Sequence, residues 1–238
     1  MRIRVRTLVV AVGVAIAVLV PACSRHAEQT APQPSPVYVA VGASDSVGVG
    51  ADDPSTQAWP VLFLRDALPA GTRFTNVAIA GATVEKALAE EVPKAVALEP
   101  DVVTVWLNVN DLRAFVPADT YEQRLADLVH QLRRGGDTKV LVADTPDIDQ
   151  LPVIRRLGAL TPSAFIESAV DQYNAAIGRV VKREGAVRVD LNGPSEEAER
   201  DGTFASLVSA DGFHPNAAGY ARVASTFVAA FRSSGGLE

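Results

Sequence analysis

Cysteine, histidine and aromatic residues are all scarce in this chain, and each scarcity removes a class of chemistry. Cys23 is the only cysteine among 238 residues, so there is no material for a disulfide framework or a thiolate metal site. Three scattered histidines, His26, His130 and His214, leave little for an imidazole-held metal. Aromatics make up 6% of the chain and the formal net charge is −6, with no basic stripe carrying interleaved aromatics, which argues against a nucleic-acid partner. No internal repeat is present. Two nucleotide and hydrolase signatures are also incomplete. Gly48 and Gly50 begin a Gly-x-Gly-x-x-Gly spacing, but Asp53 stands where the third glycine belongs. Gly42 and Ser44 begin a Gly-x-Ser-x-Gly elbow, but Ser46 replaces its last glycine, which disfavours a classical α/β-hydrolase.

What is abundant is alanine, valine and other apolar residues, 48% of the chain, enough for one α/β domain with a sizeable core. The first 36 residues stand apart from it. Arg2, Arg4 and Arg6 precede an apolar run from Leu8 to Val20, too short to favour a membrane-spanning helix. Leu19-Val20-Pro21-Ala22-Cys23 follows and resembles the lipobox of a bacterial lipoprotein signal, with proline an unusual residue inside it. The resemblance implies cleavage before Cys23, a lipid on that cysteine, and an exported domain anchored to the cell membrane on its extracellular or periplasmic side. Residues 24–36 are polar, contain Pro32, Pro34 and Pro36, and read as an extended tether. The expected organisation is therefore a signal over 1–22, a tether over 23–36 and a single domain over 37–238.

Within that domain, β-branched runs alternate with helical spacings. Strands are expected at Val37–Gly42, Arg73–Ala78, Val102–Leu107, Lys139–Ala143 and Val187–Leu191. Helices are expected at Gln57–Leu68, from Val84 to Val96 with Thr83 as its cap, around Tyr121–Leu132, at Ser163–Glu184 and at Asn216–Phe231. Residues 144–152 read as a polar loop, and Asn192–Ala210 as the least regular part, a lid or a substrate-contacting segment. Five strands alternating with helices imply a parallel sheet with helices on both faces, a three-layer αβα sandwich.

The candidate chemistry sits where strands end. Tyr38-Val39-Ala40-Val41 breaks into Gly42-Ala43-Ser44-Asp45-Ser46, which places Ser44 at the edge where open α/β sheets bind ligands. On its own this stretch fits an ordinary polar turn equally well. Asp211-Gly212-Phe213-His214 adds an acid three residues before a histidine, so that nucleophile, base and orienting acid are all available. Gly81 precedes a helix whose first backbone N–H groups are unpaired. Asn108, Asn110 and Asp111 end the most apolar strand, where polar side chains need partners. Ser46 is the rival nucleophile by proximity, but is expected to support the turn. Asp45 and Asp111 are expected to orient backbone, Trp59 and Trp106 to pack, and His26 and His130 to face solvent.

Together these blocks resemble the SGNH hydrolase superfamily, also called GDSL esterases. Gly42-Ala43-Ser44-Asp45-Ser46-Val47-Gly48 is similar to its first block, Gly-Asp-Ser-x-Ser/Thr-x-Gly, with Ala43 for the usual Asp. Gly81 after Asn76 is similar to the glycine block. Asn108-Val109-Asn110-Asp111 is similar to Gly-x-Asn-Asp, with Asn108 for Gly, an added side chain that would either reshape the pocket or loosen Asn110. Asp211 and His214 complete the fourth block. Ala58-Trp59-Pro60 resembles the thioesterase/lysophospholipase and arylesterase branch. The resemblance covers about Val37 to Phe231 and implies a flavodoxin-like fold and a serine esterase with no metal or organic cofactor. It assigns Ser44 as nucleophile, His214 as base, Asp211 as its partner, and the Ser44 and Gly81 N–H groups with the Asn110 amide as oxyanion donors. The implied substrate is a small acyl ester, thioester or acylated glycan or lipid. Acyl transfer to a cell-envelope glycan, or glycan or lipid binding without turnover, are the other readings of the same fold.

Overall fold

The computed structural model describes residues 34–157 and 163–237. The expected signal, Cys23 and most of the expected tether lie outside the described residues. Ser35–Glu238 is one compact unit.

Five parallel strands form its sheet in the order β2-β1-β3-β4-β5: β1 Val37–Gly42, β2 Arg73–Asn76, β3 Val102–Trp106, β4 Lys139–Ala143 and β5 Val187–Val189. This is the flavodoxin-like doubly wound order, whose switch point lies between β1 and β3 at their carboxyl ends. Register pairs Gly42 with Trp106 at that edge. The helices are α1 Ser44–Val47, α2 Pro54–Gln57, α3 Trp59–Ala67, α4 Val84–Glu90, α5 Val92–Ala97, α6 Val109–Arg113, α7 Ala118–Arg133, α8 Pro152–Leu157, α9 Ser163–Glu184, α10 Asn192–Arg200 and α11 Ala217–Ser233.

Both faces of the sheet are covered, which is why its central strands read as continuous apolar runs. Side-chain alternation divides them. Val39, Val41, Val103, Val105, Val140 and Val142 point to the layer of α4, α5, α7 and α9. Tyr38, Ala40, Val102, Trp106, Leu141 and Ala143 point to α3 and α11. The few aromatics concentrate in the second layer. There Trp59 stacks on Phe227 with ring centroids 4.2 Å apart, and Phe63 meets Phe231 edge to face at 5.6 Å. Aromatic pairs of this kind add about 0.5–1.5 kcal/mol beyond the area they bury. Trp59 and Trp106 are both buried in this packing.

Several expectations need correction, among them the ends of β5 and β3, which stop at Val189 and Trp106 rather than Leu191 and Leu107. Strand β2 stops at Asn76 rather than Ala78, because the Asn76 side chain accepts the Ala78 N–H at 3.1 Å and turns the chain. The helix expected from Gln57 is two helices with Ala58 extended between them. Pro60 lacks the N–H that a continuous helix would need there. The helix expected from Val84 to Val96 is likewise divided at Glu91, just before Pro93. Asn192–Ala210 is not irregular: it holds α10 and a 3-10 turn, Phe204–Leu207. Asp144 builds the entry to α10 by accepting the Leu191 and Asn192 N–H groups at 2.7 and 3.0 Å, while Arg188 pairs with its other oxygen at 2.7 Å.

Candidate active site

Strand β1 delivers the chain to the sheet edge, and α1 begins at Ser44. Ser46 is fully buried, and its side chain turns back over Gly42 so closely that a Cβ there would overlap Ser46 Oγ. Ser46 therefore faces away from the open edge and braces the turn. Ser44 remains half-exposed beside it. As the first residue of α1, Ser44 keeps a backbone N–H with no acceptor among the described residues.

His214 reaches Ser44 from the far end of the chain. Its Nε2 lies 2.9 Å from Ser44 Oγ, and its Nδ1 lies 2.6 Å from Asp211 Oδ2. The other oxygen of Asp211 accepts the N–H groups of Phe213 and His214 at 2.8 and 3.0 Å and the Ser209 hydroxyl at 2.8 Å. Partial burial works against the Asp211 anion. The hydrogen bonds from His214, the two backbone N–H groups and Ser209 outweigh it, and the carboxyl is held well below the usual carboxylate range. The turn is anchored by the Val208–Pro215 bridge and by Asn216, which caps α11 and binds the Ser206 and Val208 carbonyls. Gly50 lets the loop after α1 lie against it: a Cβ at Gly50 would stand 2.6 Å from the Pro215 carbonyl oxygen and 3.0 Å from His214 Cβ.

The other two blocks meet the Ser44 turn through the backbone. Ile79 N–H bonds to the Gly42 carbonyl at 3.1 Å, and the Asn76 amide donates to the Ser46 carbonyl at 2.7 Å. Gly81 follows with φ +79°, and its N–H has no acceptor among the described residues. Asn110 donates from Nδ2 to the Ala82 carbonyl at 3.0 Å, which uses one of that nitrogen's two hydrogens. Asn110 is thus held, not loosened, beside Asn108. Asn108 itself is buried, and neither of its amide atoms has a partner among the described residues. Asp111 accepts the Val84 N–H at 3.0 Å and orients the start of α4, while burial pushes its carboxyl up to about 6. The Asp45 carboxyl takes its own backbone N–H and, among the described residues, bonds no other segment. It faces a cavity of about 110 Å³ that is walled by Trp106, Val109, Phe204, Phe213 and Arg222, among others. Burial pushes it up to about 6, against the attraction of His214.

Two supports escaped the sequence reading. Ser209 is a common residue in a loop and becomes recognisable only through its bond to Asp211. Glu91 has an acidic, helix-like context, yet it is fully buried and accepts the Gly42 N–H at 2.9 Å. Burial pushes its carboxyl up to about 7, opposed by the Gly42 and Ile79 N–H groups. His130 is exposed, as expected, with Nδ1 3.3 Å from Glu184.

Comparison with known proteins agrees with this architecture. Residues 40–222 match the GDSL-like lipase/acylhydrolase family. A GDSL-like esterase of Mycobacterium tuberculosis is 30% identical over 200 residues, covering 80% of this chain; the chain spans about 60% of that relative's length. The crystal structure of TesA is 26% identical with a TM-score of 0.63, over 83% of this chain and 98% of TesA. An acetylxylan esterase, Axe2 of Geobacillus stearothermophilus, shares the fold at 22% identity and TM-score 0.63, over 82% of this chain and 93% of its own. The family match runs from the middle of β1 into α11 and takes in all four motif blocks, so the chain belongs to the GDSL-like lipase/acylhydrolase family of the SGNH hydrolase superfamily.

Proposed function

We propose that this chain is an exported serine esterase that cleaves carboxylic esters through an acyl-enzyme on Ser44. The observation that carries the reading is the unbroken contact chain from Ser44 Oγ through His214 to Asp211, at 2.9 and 2.6 Å. With Nδ1–H donated to the Asp211 carboxylate, Nε2 is left as the acceptor facing Ser44. Ser44 Oγ attacks the ester carbonyl carbon, and its proton passes to His214 Nε2. The tetrahedral oxyanion is received by the Ser44 and Gly81 N–H groups and the Asn110 amide. Its collapse breaks the bond to the alkoxy oxygen, which takes the proton back from His214 and leaves as the alcohol. Water then attacks the acyl-enzyme, again losing its proton to His214, and Ser44 is regenerated as the acid departs. Asp211 stays ionised throughout and stabilises the imidazolium. Each oxyanion donor is worth roughly 2.7–4 kcal/mol where one has been removed in other enzymes.

Export and anchoring by a lipid on Cys23 complete the proposal, with residues 24–36 as tether. They rest on the basic and apolar N-terminal sequence. The test is labelling of the folded chain with a fluorophosphonate, followed by peptide mapping. One adduct is expected on Ser44, absent in Ser44→Ala and His214→Ala. A folded chain that takes no label, or takes it on Ser46, would overturn the assignment.

A further inference from the structure

The family block Gly-Asp-Ser-x-Ser/Thr leaves the position between the two hydroxyl residues open, so the acid at Asp45 is not required by the block. Asp45 is half-buried, and no Lys or Arg among the described residues pairs with it. Among the described residues its carboxyl takes a hydrogen bond from its own backbone N–H and feels the nearby His214. The cavity it faces is mostly apolar and carries three aromatic side chains, Trp106, Phe204 and Phe213, with Asp147 as a second carboxyl on its wall. Arg222, the one cation on the wall, is already engaged by Glu197 and by the Pro194 carbonyl, each at 3.1 Å. Phe213 already attracts a cation from outside the cavity, with the Arg113 guanidinium 5.4 Å from its ring centroid.

An ionised carboxyl on an apolar wall has lost part of its hydration and gains most from a ligand of opposite charge. A neutral hydroxyl would offer it one hydrogen bond. An alkylammonium group offers the charge, apolar substituents for the aliphatic wall, and a cation for the aromatic rings. The cavity, at about 110 Å³, is smaller than the roughly 150 Å³ cavity that admits benzene in another protein, so the group must be compact. We infer that this cavity receives a small alkylammonium group of the substrate, with Asp45 as counter-ion and specificity-determining residue. The inference rests on the esterase reading, because the cavity is walled by Asp45, Val109, Phe213 and Pro215, chain neighbours of Ser44, Asn110 and His214.

The test compares matched esters on the full chain: acetylcholine against 3,3-dimethylbutyl acetate, and the 4-nitrophenyl esters of trimethylglycine and 3,3-dimethylbutanoic acid. The first pair carries the cation on the alcohol and the second on the acyl group. Each rate is divided by that of the ester with hydroxide alone. In one pair the cationic ester should be preferred by about tenfold or more in kcat/KM, the size of one lost charge-assisted contact, and Asp45→Asn should remove that preference. Preference in neither pair overturns the inference. So does an Asp45→Asn variant that slows both members of a pair equally, since Asp45 would then act on His214 alone. Binding of tetramethylammonium, followed by calorimetry on Ser44→Ala and lost on adding Asp45→Asn, tests the cavity without turnover. If Ser44 labels but neither preference nor binding is seen, the inference fails and the esterase reading stands. If Ser44 takes no label but tetramethylammonium binds through Asp45, the esterase reading fails and the cavity assignment stands.

Discussion

Glu91→Gln should make the protein more stable relative to the parent as pH rises, and the structure sets the size of the effect. Glu91 is fully buried beneath the Ser44 turn, with one oxygen on the Gly42 N–H and the other without a partner among the described residues. Burial raises its carboxyl from 4.5 to about 7 in the folded protein, with the Gly42 and Ile79 N–H groups opposing. Below 4.5 both states hold the proton and the group adds no pH dependence. Between 4.5 and 7 the unfolded chain ionises while the folded chain does not, so stability falls. Above 7 both are ionised and the loss is complete. At about 1.36 kcal/mol for each pH unit of displacement, the loss is about 3 kcal/mol. Glutamine keeps an oxygen for the Gly42 N–H and cannot ionise. Urea unfolding of parent and variant at pH 4.5 and pH 8 reads the difference directly, because other buried acids such as Asp111 and Asp147 are common to both. The advantage of the variant should grow by about 3 kcal/mol between the two pH values, or by roughly 6–12 °C in melting temperature for a domain of this size. An advantage that stays constant, or shrinks as pH rises, would refute the reasoning and mean that Glu91 is ionised in the fold at low pH.

If Asn110 serves the oxyanion as proposed, Asn110→Ala should lower kcat on a small ester by roughly 10²–10³ with little change in KM; a loss below about tenfold would remove Asn110 from that role. Gly42→Ala should cost about 1–3 kcal/mol of stability and displace Ser44, because the new Cβ overlaps Ser46 Oγ and lies 2.7 Å from Ser46 Cβ. Adding Ser46→Gly removes both clashing atoms and leaves the Trp106 carbonyl at 3.1 Å as the nearest remaining contact, so the double variant should regain both melting temperature and Ser44 labelling.

What could be read in advance follows from where each signal resides. Strands β1 and β3 were legible because parallel strands buried on both faces must be apolar at every position, and Val102–Trp106 is fully apolar except for Thr104. Helix α9 was legible to its last residue because Ile166, Val170, Tyr173, Ile177 and Val181 keep helical spacing along it. Helix α10 buries only Ala198, so it has no periodicity to find, and its start depends on Asp144, 47 residues before Leu191 in sequence. The four motif blocks were readable as residue types. What holds them was not: an acid on an amphipathic helix reads as solvated, and nothing near Glu91 in the chain announces a partner 49 residues away. For Asp45 the reading was incomplete, since an acid in a turn usually serves the backbone, and only the fold shows that this one also lines a cavity.

The same division explains why motif blocks so far apart can act together. No two of the strand-end blocks rely on contact between their reactive groups alone. Asn76 holds the Ser46 carbonyl, Glu91 the Gly42 N–H, Asn110 the Ala82 carbonyl and Asp111 the Val84 N–H. Each bond runs from a side chain of one segment to the backbone of another, at distances of 2.7–3.0 Å, so it constrains where a chain runs rather than which residue it presents. A side chain bonded to backbone leaves the partner's own side chain free to vary, which is how Ala43 and Asn108 can differ from the family pattern while Ser44 and Asn110 stay in place. Residues that only hold a path can be exchanged for any group of the same hydrogen-bonding type, as Glu91→Gln would do. Residues that meet the reacting atoms cannot. Preorganisation of the candidate site therefore resides in the backbone crosslinks, and the open positions between them, such as Asp45, are where the chain can vary without moving the site.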